Sequence, residues 1–229
     1  MDSQPIMAHP SIADIPENAL VQHLLSDPYW RLNILGIRGI PQEVLDFQRV
    51  PLDDAPGDFE GDVDILLCAK SRPDSATAIE VKRVKVGAKA LRSEQPNKLH
   101  EYTRGVRQAN CLARVGFSQV YLYVIVVVDS REQNIGHISC AGPSPKLRRK
   151  IAQTLSVSDL DPRIGLLHYE FAQAMDNNPL RAGFASGHLV RLAQPVAQPA
   201  ALTAWVAQTI AGRGHSPATE NLGTGAVSP

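Results

Sequence analysis

AIEVKRVKV, residues 78–86, has the apolar recurrence of a β-strand, yet it carries a glutamate and a lysine two positions apart. Successive side chains of a strand point to opposite faces, so positions i and i+2 share one. Glu80 and Lys82 therefore stand side by side on one face, while Ile79 and Val81 turn to the other. Read plainly, they are a same-face ion pair on a solvated edge, an arrangement of small energetic weight. Read sharply, they are half of a catalytic site, and the flanking sequence decides between the two.

Upstream, GDVDILLCA (61–69) alternates Val63, Ile65 and Leu67 with Asp64, Leu66 and Cys68, which predicts another strand. The intervening KSRPDS holds Pro73 and several turn formers, so the two strands make a hairpin or near-hairpin. Downstream the period changes. Leu99, Tyr102, Val106, Ala109, Cys111 or Leu112, and Val115 fall near one face of a helix that starts after Pro96 and that Gly116 would end. VYLYVIVVVD (120–129) is then a nearly continuous apolar strand of the kind buried on both faces, central and beneath helices.

The outer segments are simpler. ENALVQHLLSD (17–27) spaces Leu20, Val21, Leu24 and Leu25 as a helix that stops before Pro28. A short strand is expected near Val44 to Val50, followed by the turn-rich acidic stretch PLDDAPGDFEG. SPKLRRKIAQTL (144–155) opens on Ser144 and Pro145, a cap and first-turn pair, and predicts a basic helix. GLLHYEFAQ and GHLVRLAQ read as two later strands, ALTAWVAQTI as a last helix. No internal repeat is present.

At 229 residues the chain suits a single domain, taken as 1–211, with a small, polar tail at 212–229 expected to be disordered. The hydrophobic fraction of 44% is that of a globular protein. No apolar run approaches the roughly 20 residues of a membrane span. The acidic second residue and missing basic leader give no secretory signal, so a cytoplasmic location without membrane attachment is expected. Cys68, Cys111 and Cys140 are widely spaced and lack a CxxC, which argues against disulfides and structural zinc and for buried, reduced thiols.

Formal net charge is zero, but its distribution is uneven. Eight acidic residues and only Arg49 lie between Pro41 and Asp64, while nine basic residues face three acidic ones between Glu80 and Arg114. A neutral total thus places a cation-attracting segment beside a phosphate-attracting one, although solvated faces account for most single charges.

Asp64 in GDVDILL, then Glu80-Val81-Lys82 after fifteen intervening residues, then a helix and an apolar strand, resembles the PD-(D/E)XK nuclease superfamily over roughly Glu17 to Asp129. The proline that often precedes the aspartate in that superfamily is replaced by Val63. The resemblance implies an α/β fold with a restriction-endonuclease-like mixed β-sheet flanked by helices, and an acidic cluster at one end of a splayed strand pair. It implies a Mg²⁺- or Mn²⁺-dependent nuclease that hydrolyses phosphodiester bonds, with DNA as the expected partner; the oligomeric state stays open, a homodimer that cuts two strands being one form it takes in such nucleases.

The residue types suit that chemistry. Phosphodiester hydrolysis needs an activated water and stabilisation of charge on the phosphate, and a divalent metal serves both. Mg²⁺ binds through one or two carboxylates, waters and substrate phosphate. Asp64, Glu80 and the Val81 carbonyl are the expected ligands, with Lys82 orienting the water and countering phosphate charge. Gln108, on the following helix, is a further candidate catalytic residue with an ordinary helix-surface role as its rival. Asp62 competes with Asp64 for the ligand role and shares its face. Glu17 is either an extra carboxylate or, the preferred reading, an acid favoured by the helix dipole. Lys98, Arg104 and Arg107 are candidate phosphate contacts.

His23, His100, His137, His168 and His188 show no metal-ligand spacing, and there is no phosphate-binding glycine loop, GxSxG or HExxH. No organic cofactor is expected. A catalytically inactive member of the same fold, binding nucleic acid or protein, is the alternative function, but retention of Asp64, Glu80 and Lys82 together favours the enzyme.

Overall fold

Strands of seven to ten residues, apolar runs in the centre and more polar ones at the edges, assemble into one six-stranded mixed sheet in sequence order. The computed structural model describes residues 11–27, 30–31, 45–56, 61–93, 100–130, 143–154, 159–173 and 182–213. Helix α1 (Glu17–Ser26) precedes strands β1 (Leu45–Pro51), β2 (Asp62–Cys68) and β3 (Thr77–Val86). Helices α2 (Ala88–Ser93) and α3 (His100–Val115) lead to β4 (Gln119–Val128). Helix α4 (Pro145–Thr154), strands β5 (Gly165–Gln173) and β6 (Ala182–Arg191), and helix α5 (Ala200–Gly212) complete the order.

Strands β1, β2 and β3 form an antiparallel meander, β3, β4 and β5 run parallel, and β6 returns antiparallel. The parallel step from β3 to β4 requires a crossover, which α3 supplies. Strand β4 lies between two parallel neighbours and is buried from Val120 to Val128, as its unbroken apolar run demands. Gly116 closes α3 with φ of 98°, a conformation that glycine adopts without penalty. Ser144 caps α4 by accepting the Leu147 N–H at 3.1 Å.

The two faces of the sheet carry separate apolar clusters. One joins Ala78, Val84, Leu122, Val124 and Leu166 to Val106, Ala109 and Leu112 of α3, Leu147 and Ile151 of α4, and Leu202, Trp205 and Val206 of α5. The other joins Ile65, Ile79, Val81, Tyr121, Tyr123 and Phe171 to Leu20, Val21, Leu24 and Leu25 of α1. Helix α1 packs on this second face, where Ile12 and Trp30 also pack, and its first residue, Glu17, reaches the edge of β3.

Sequence expectations and observed elements agree on α1, β1 to β5, α3, α4 and α5 to within a few residues. Helix α2 was not anticipated, and β6 begins five residues before the GHLVRLAQ segment. The last helix reaches Gly212, one residue past the expected domain limit, and the expected tail from residue 214 onward lies outside the described residues, as do Cys140 and His137. Cys68 is buried, Cys111 half-buried, and both are free thiols. Among the described residues no helix is long and apolar enough to cross a membrane.

Candidate active site

The site forms where β2 and β3 part. Ile65, Leu66 and Leu67 lie opposite Ile79, Ala78 and Thr77, and the pairing stops there, although β3 runs on to Val86. A strand edge left without a partner must find other acceptors for its N–H groups. Two carboxylates take the place of the missing strand. Val81 N–H donates to Asp64 Oδ2 at 2.7 Å, and Arg83 N–H donates to Glu17 Oε2 at 2.6 Å.

Lys82 reaches into the same gap. Its Nζ donates to the Val81 carbonyl at 2.9 Å, pairs with Glu80 Oε1 at 2.5 Å and approaches Glu17 Oε1 at 3.6 Å. Glu80 is 1% and Lys82 6% exposed, which removes the reading of a solvated edge pair. Burial of two charges costs several kcal/mol per ion in order of magnitude unless partners compensate, so a chain that retains them there needs a reason beyond stability.

Electrostatics follow from this crowding. Burial pushes the Asp64 carboxyl up to about 6, against the Val81 N–H and the Lys82 ammonium, which draw it down. Burial, then the neighbouring Asp64 charge, pushes Glu80 up to about 8. Burial pulls the Lys82 ammonium down, but Glu80 and Glu17 outweigh it and hold the group above its usual range. Two carboxylates that resist ionising beside each other, with the Val81 carbonyl oxygen on the same ammonium as Glu80, are a site that gains from a further cation.

The aliphatic stem of Lys82 lies against α3 at Gly105. A Cβ there would collide with Lys82 Cγ and come within 3.3 Å of its Cδ and 3.2 Å of Leu122 Cδ1. Gln108 follows by three residues, about one turn, on an adjoining part of the helix surface. Its Oε1 is buried without a hydrogen-bond partner among the described residues. Arg104 and Arg107 are exposed on α3, while Lys98 lies outside the described residues.

Asp62 departs from expectation. Its carboxylate pairs with Arg49 Nε at 3.1 Å on the exposed side of the strand pair. Nor does strict alternation hold through β2: Val63 joins the same cluster as Leu66 and Cys68, whereas Ile65 joins the other. The break lies opposite Arg49, which adopts φ of 48° between the paired residues Gln48 and Val50. A positive φ is uncommon for a side chain of this size, and it marks the kink that separates Asp62 from Asp64.

Two participants were underrated from sequence. Glu17 does begin a helix, as the dipole argument requires, but its carboxylate is spent on Arg83 N–H and Lys82. Gly105 was passed over inside the α3 periodicity, where an interior glycine is itself a signal of close approach.

The donor set suits a small hard cation. Among the described residues no group of three or more His, Cys, Asp or Glu side chains is arranged to hold a metal. Asp64, Glu80 and the Val81 carbonyl instead offer two carboxylates and one neutral oxygen, as Mg²⁺ accepts when water and phosphate fill its remaining positions. Glu80 Oε1, buried with the Lys82 ion pair as its one polar contact among the described residues, fits that role. The sequence matches no protein-family model and no curated protein.

Proposed function

We propose that this protein is a metal-dependent nuclease of the PD-(D/E)XK type, with a restriction-endonuclease-like fold, hydrolysing phosphodiester bonds in DNA. One observation carries the reading: Asp64, Glu80 and Lys82, on two strands that separate, converge with two of the three residues almost wholly buried. Asp64, Glu80 and the Val81 carbonyl would hold Mg²⁺ or Mn²⁺. Such an ion supplies Lewis-acid stabilisation of the phosphate and a water acidic enough to react near neutral pH.

The chain's own groups do the rest. Lys82 presents an ammonium beside the carboxylates, positioned to orient the attacking water and to counter charge gathering on the scissile phosphate. Gln108 brings from α3 a carbonyl oxygen that has no hydrogen-bond partner among the described residues, able to accept a hydrogen bond from that water. Arg104 and Arg107 face solvent on the same helix, where they can contact flanking phosphates. The expected setting is cytoplasmic, with two copies acting on the two strands of a duplex.

A second reading has an observation of its own. Asp64 and Glu17 satisfy strand N–H groups that β2 has abandoned, so both carboxylates also serve the fold, and a binding module without turnover would keep them. The test is incubation of the chain with supercoiled plasmid, linear duplex, single-stranded DNA and RNA in Mg²⁺, Mn²⁺ or EDTA, beside Asp64→Asn, Glu80→Gln and Lys82→Met. Metal-dependent cleavage that drops at least a hundredfold in each variant is expected. Absence of cleavage of every substrate, together with no calorimetric metal binding, leaves the binding module.

A further inference from the structure

We infer that Gly105 is a positioning residue for Lys82: the bare backbone of α3 at this point is the seat that holds the lysine stem and aims its ammonium at the Val81 carbonyl. The inference rests on the nuclease reading for its catalytic meaning, but its geometry stands independently.

Helix α3 packs across β3 and β4 through Tyr102, Val106, Ala109 and Leu112, all at least nine-tenths buried. Gly105 lies between these anchors, and an interior glycine weakens a helix relative to alanine, so its presence calls for a local cause. The cause is Lys82. A methyl group at Gly105 would collide with Lys82 Cγ, an atom too close to the strand to swing aside as a lysine tip does, and would press Leu122 Cδ1 at 3.2 Å. Lys82 is pinned at its other end by the Val81 carbonyl, Glu80 and Glu17. Stem and head are thus fixed from opposite sides, and few rotamers remain. A long side chain held this way loses little further freedom on meeting substrate, which is the benefit of preorganisation.

The prediction concerns a coupling between two positions. In Gly105→Ala the stem must leave its rotamer, or the helix must retreat. In Lys82→Ala there is no Cγ to strike, so the same change adds a better helix former and leaves only the 3.2 Å approach to Leu122 Cδ1, which a shift of a few tenths of an ångström relieves. Thermal denaturation of the full chain as wild type, Gly105→Ala, Lys82→Ala and the double variant reads this directly. Gly105→Ala should lower Tm when Lys82 is present and raise it when Lys82 is alanine. Shifts of the same sign and size in both backgrounds would overturn the inference. If Gly105→Ala fails to fold, a folded double variant supports the contact, and an unfolded one refutes it.

Position is read separately by acetylating the metal-free protein with acetic anhydride and following each lysine by mass spectrometry. Relative to Lys89, which is exposed, Lys82 should be protected in the wild type and acetylated at least tenfold faster in Gly105→Ala/Leu122→Val, where the Leu122 contact has been removed and the Lys82 contact kept. A rate equal to wild type means that the helix retreats and that Gly105 positions nothing. With the nuclease active, Gly105→Ala should lower kcat about tenfold with KM unchanged and shift the pH profile. An inactive wild type would defeat the nuclease reading alone, leaving denaturation and acetylation to decide the role of Gly105.

Discussion

Asp64 shows how a buried carboxylate is held at the expense of stability. Its folded-state value of about 6 lies above the ordinary 3.8 because burial dominates. For an acid raised on folding, the native state binds more protons than the unfolded chain between those two values, so stability falls as pH rises through about 4 to 6 and the penalty is complete above that. Asparagine keeps an oxygen for the Val81 N–H and carries no charge. Asp64→Asn should therefore stabilise the metal-free protein at pH 8 by on the order of 1 kcal/mol, discounted for partial solvent screening, and raise Tm by about 2–4 °C. At pH 3 the gain should vanish. Differential scanning calorimetry at both pH values checks it, and equal Tm values at pH 8 would show that the charge is not opposed by the fold.

His168 makes the converse case. Burial, with His188 opposite it across the β5–β6 pair, lowers the imidazole from 6.5 to about 4, and its Nε2 is buried with no hydrogen-bond partner among the described residues. A base lowered on folding contributes stability that is fully present above about pH 6.5 and is lost as pH falls through about 4. The His168→Leu chain should lose about 2 kcal/mol less than wild type between pH 7 and pH 4. Urea unfolding at the two pH values measures this, and parallel losses in both proteins would dismiss His168 as an acid-sensitive point.

Between elements, the decisive event is the separation of β2 from β3, and the kink at Arg49 belongs to it. Left-handed backbone at a residue with a Cβ costs on the order of 1–2 kcal/mol, while the exposed Arg49–Asp62 pair returns about half a kcal/mol at most. Arg213, just after α5, donates to the carbonyls of Gln48 at 3.1 Å and Arg49 at 3.3 Å, so a distant helix end helps to hold the kink. Arg49→Gly should stabilise the protein by about 0.5–1 kcal/mol after the added freedom of glycine in the unfolded chain is subtracted. Chemical denaturation of the variant decides it, and a loss of stability would mean that the Arg49 side chain outweighs its backbone.

The same element explains what the sequence could and could not disclose. Periodicity located β2, β3, α3 and β4 because each buries a face whose spacing is written in consecutive residues. The i, i+2 relation of Glu80 and Lys82 was legible for the same reason. The kink was not: an arginine with positive φ has no sequence signature, so Asp62 and Asp64 were placed on one face when the break opposite Arg49 divides them. Glu17 was hidden more deeply. Its partners, Arg83 N–H and Lys82, lie 66 and 65 positions away, and only the departure of β2 opens a path from α1, on one side of the sheet, to Lys82 at the strand edge.

For the whole molecule, net charge cancels while geometry does not. Arg104 and Arg107 stand exposed on α3, the helix that also seats Lys82, and α4 adds Lys146, Arg148 and Arg149 on exposed positions. If α3 carries the substrate backbone, each arginine on a phosphate releases condensed counterions, and binding weakens by about 0.9 logarithmic units per contact for each tenfold rise in salt for duplex DNA. In a Glu80→Gln background, chosen so that any cleavage is suppressed during the measurement, Arg104→Ala/Arg107→Ala should flatten the plot of log affinity against log salt by nearly two units of slope and weaken binding of unrelated duplexes alike. Fluorescence anisotropy between 50 and 200 mM salt would read the slope. An unchanged slope with unchanged affinity would remove α3 from the interface, because arginines that touch no phosphate have no counterions to release.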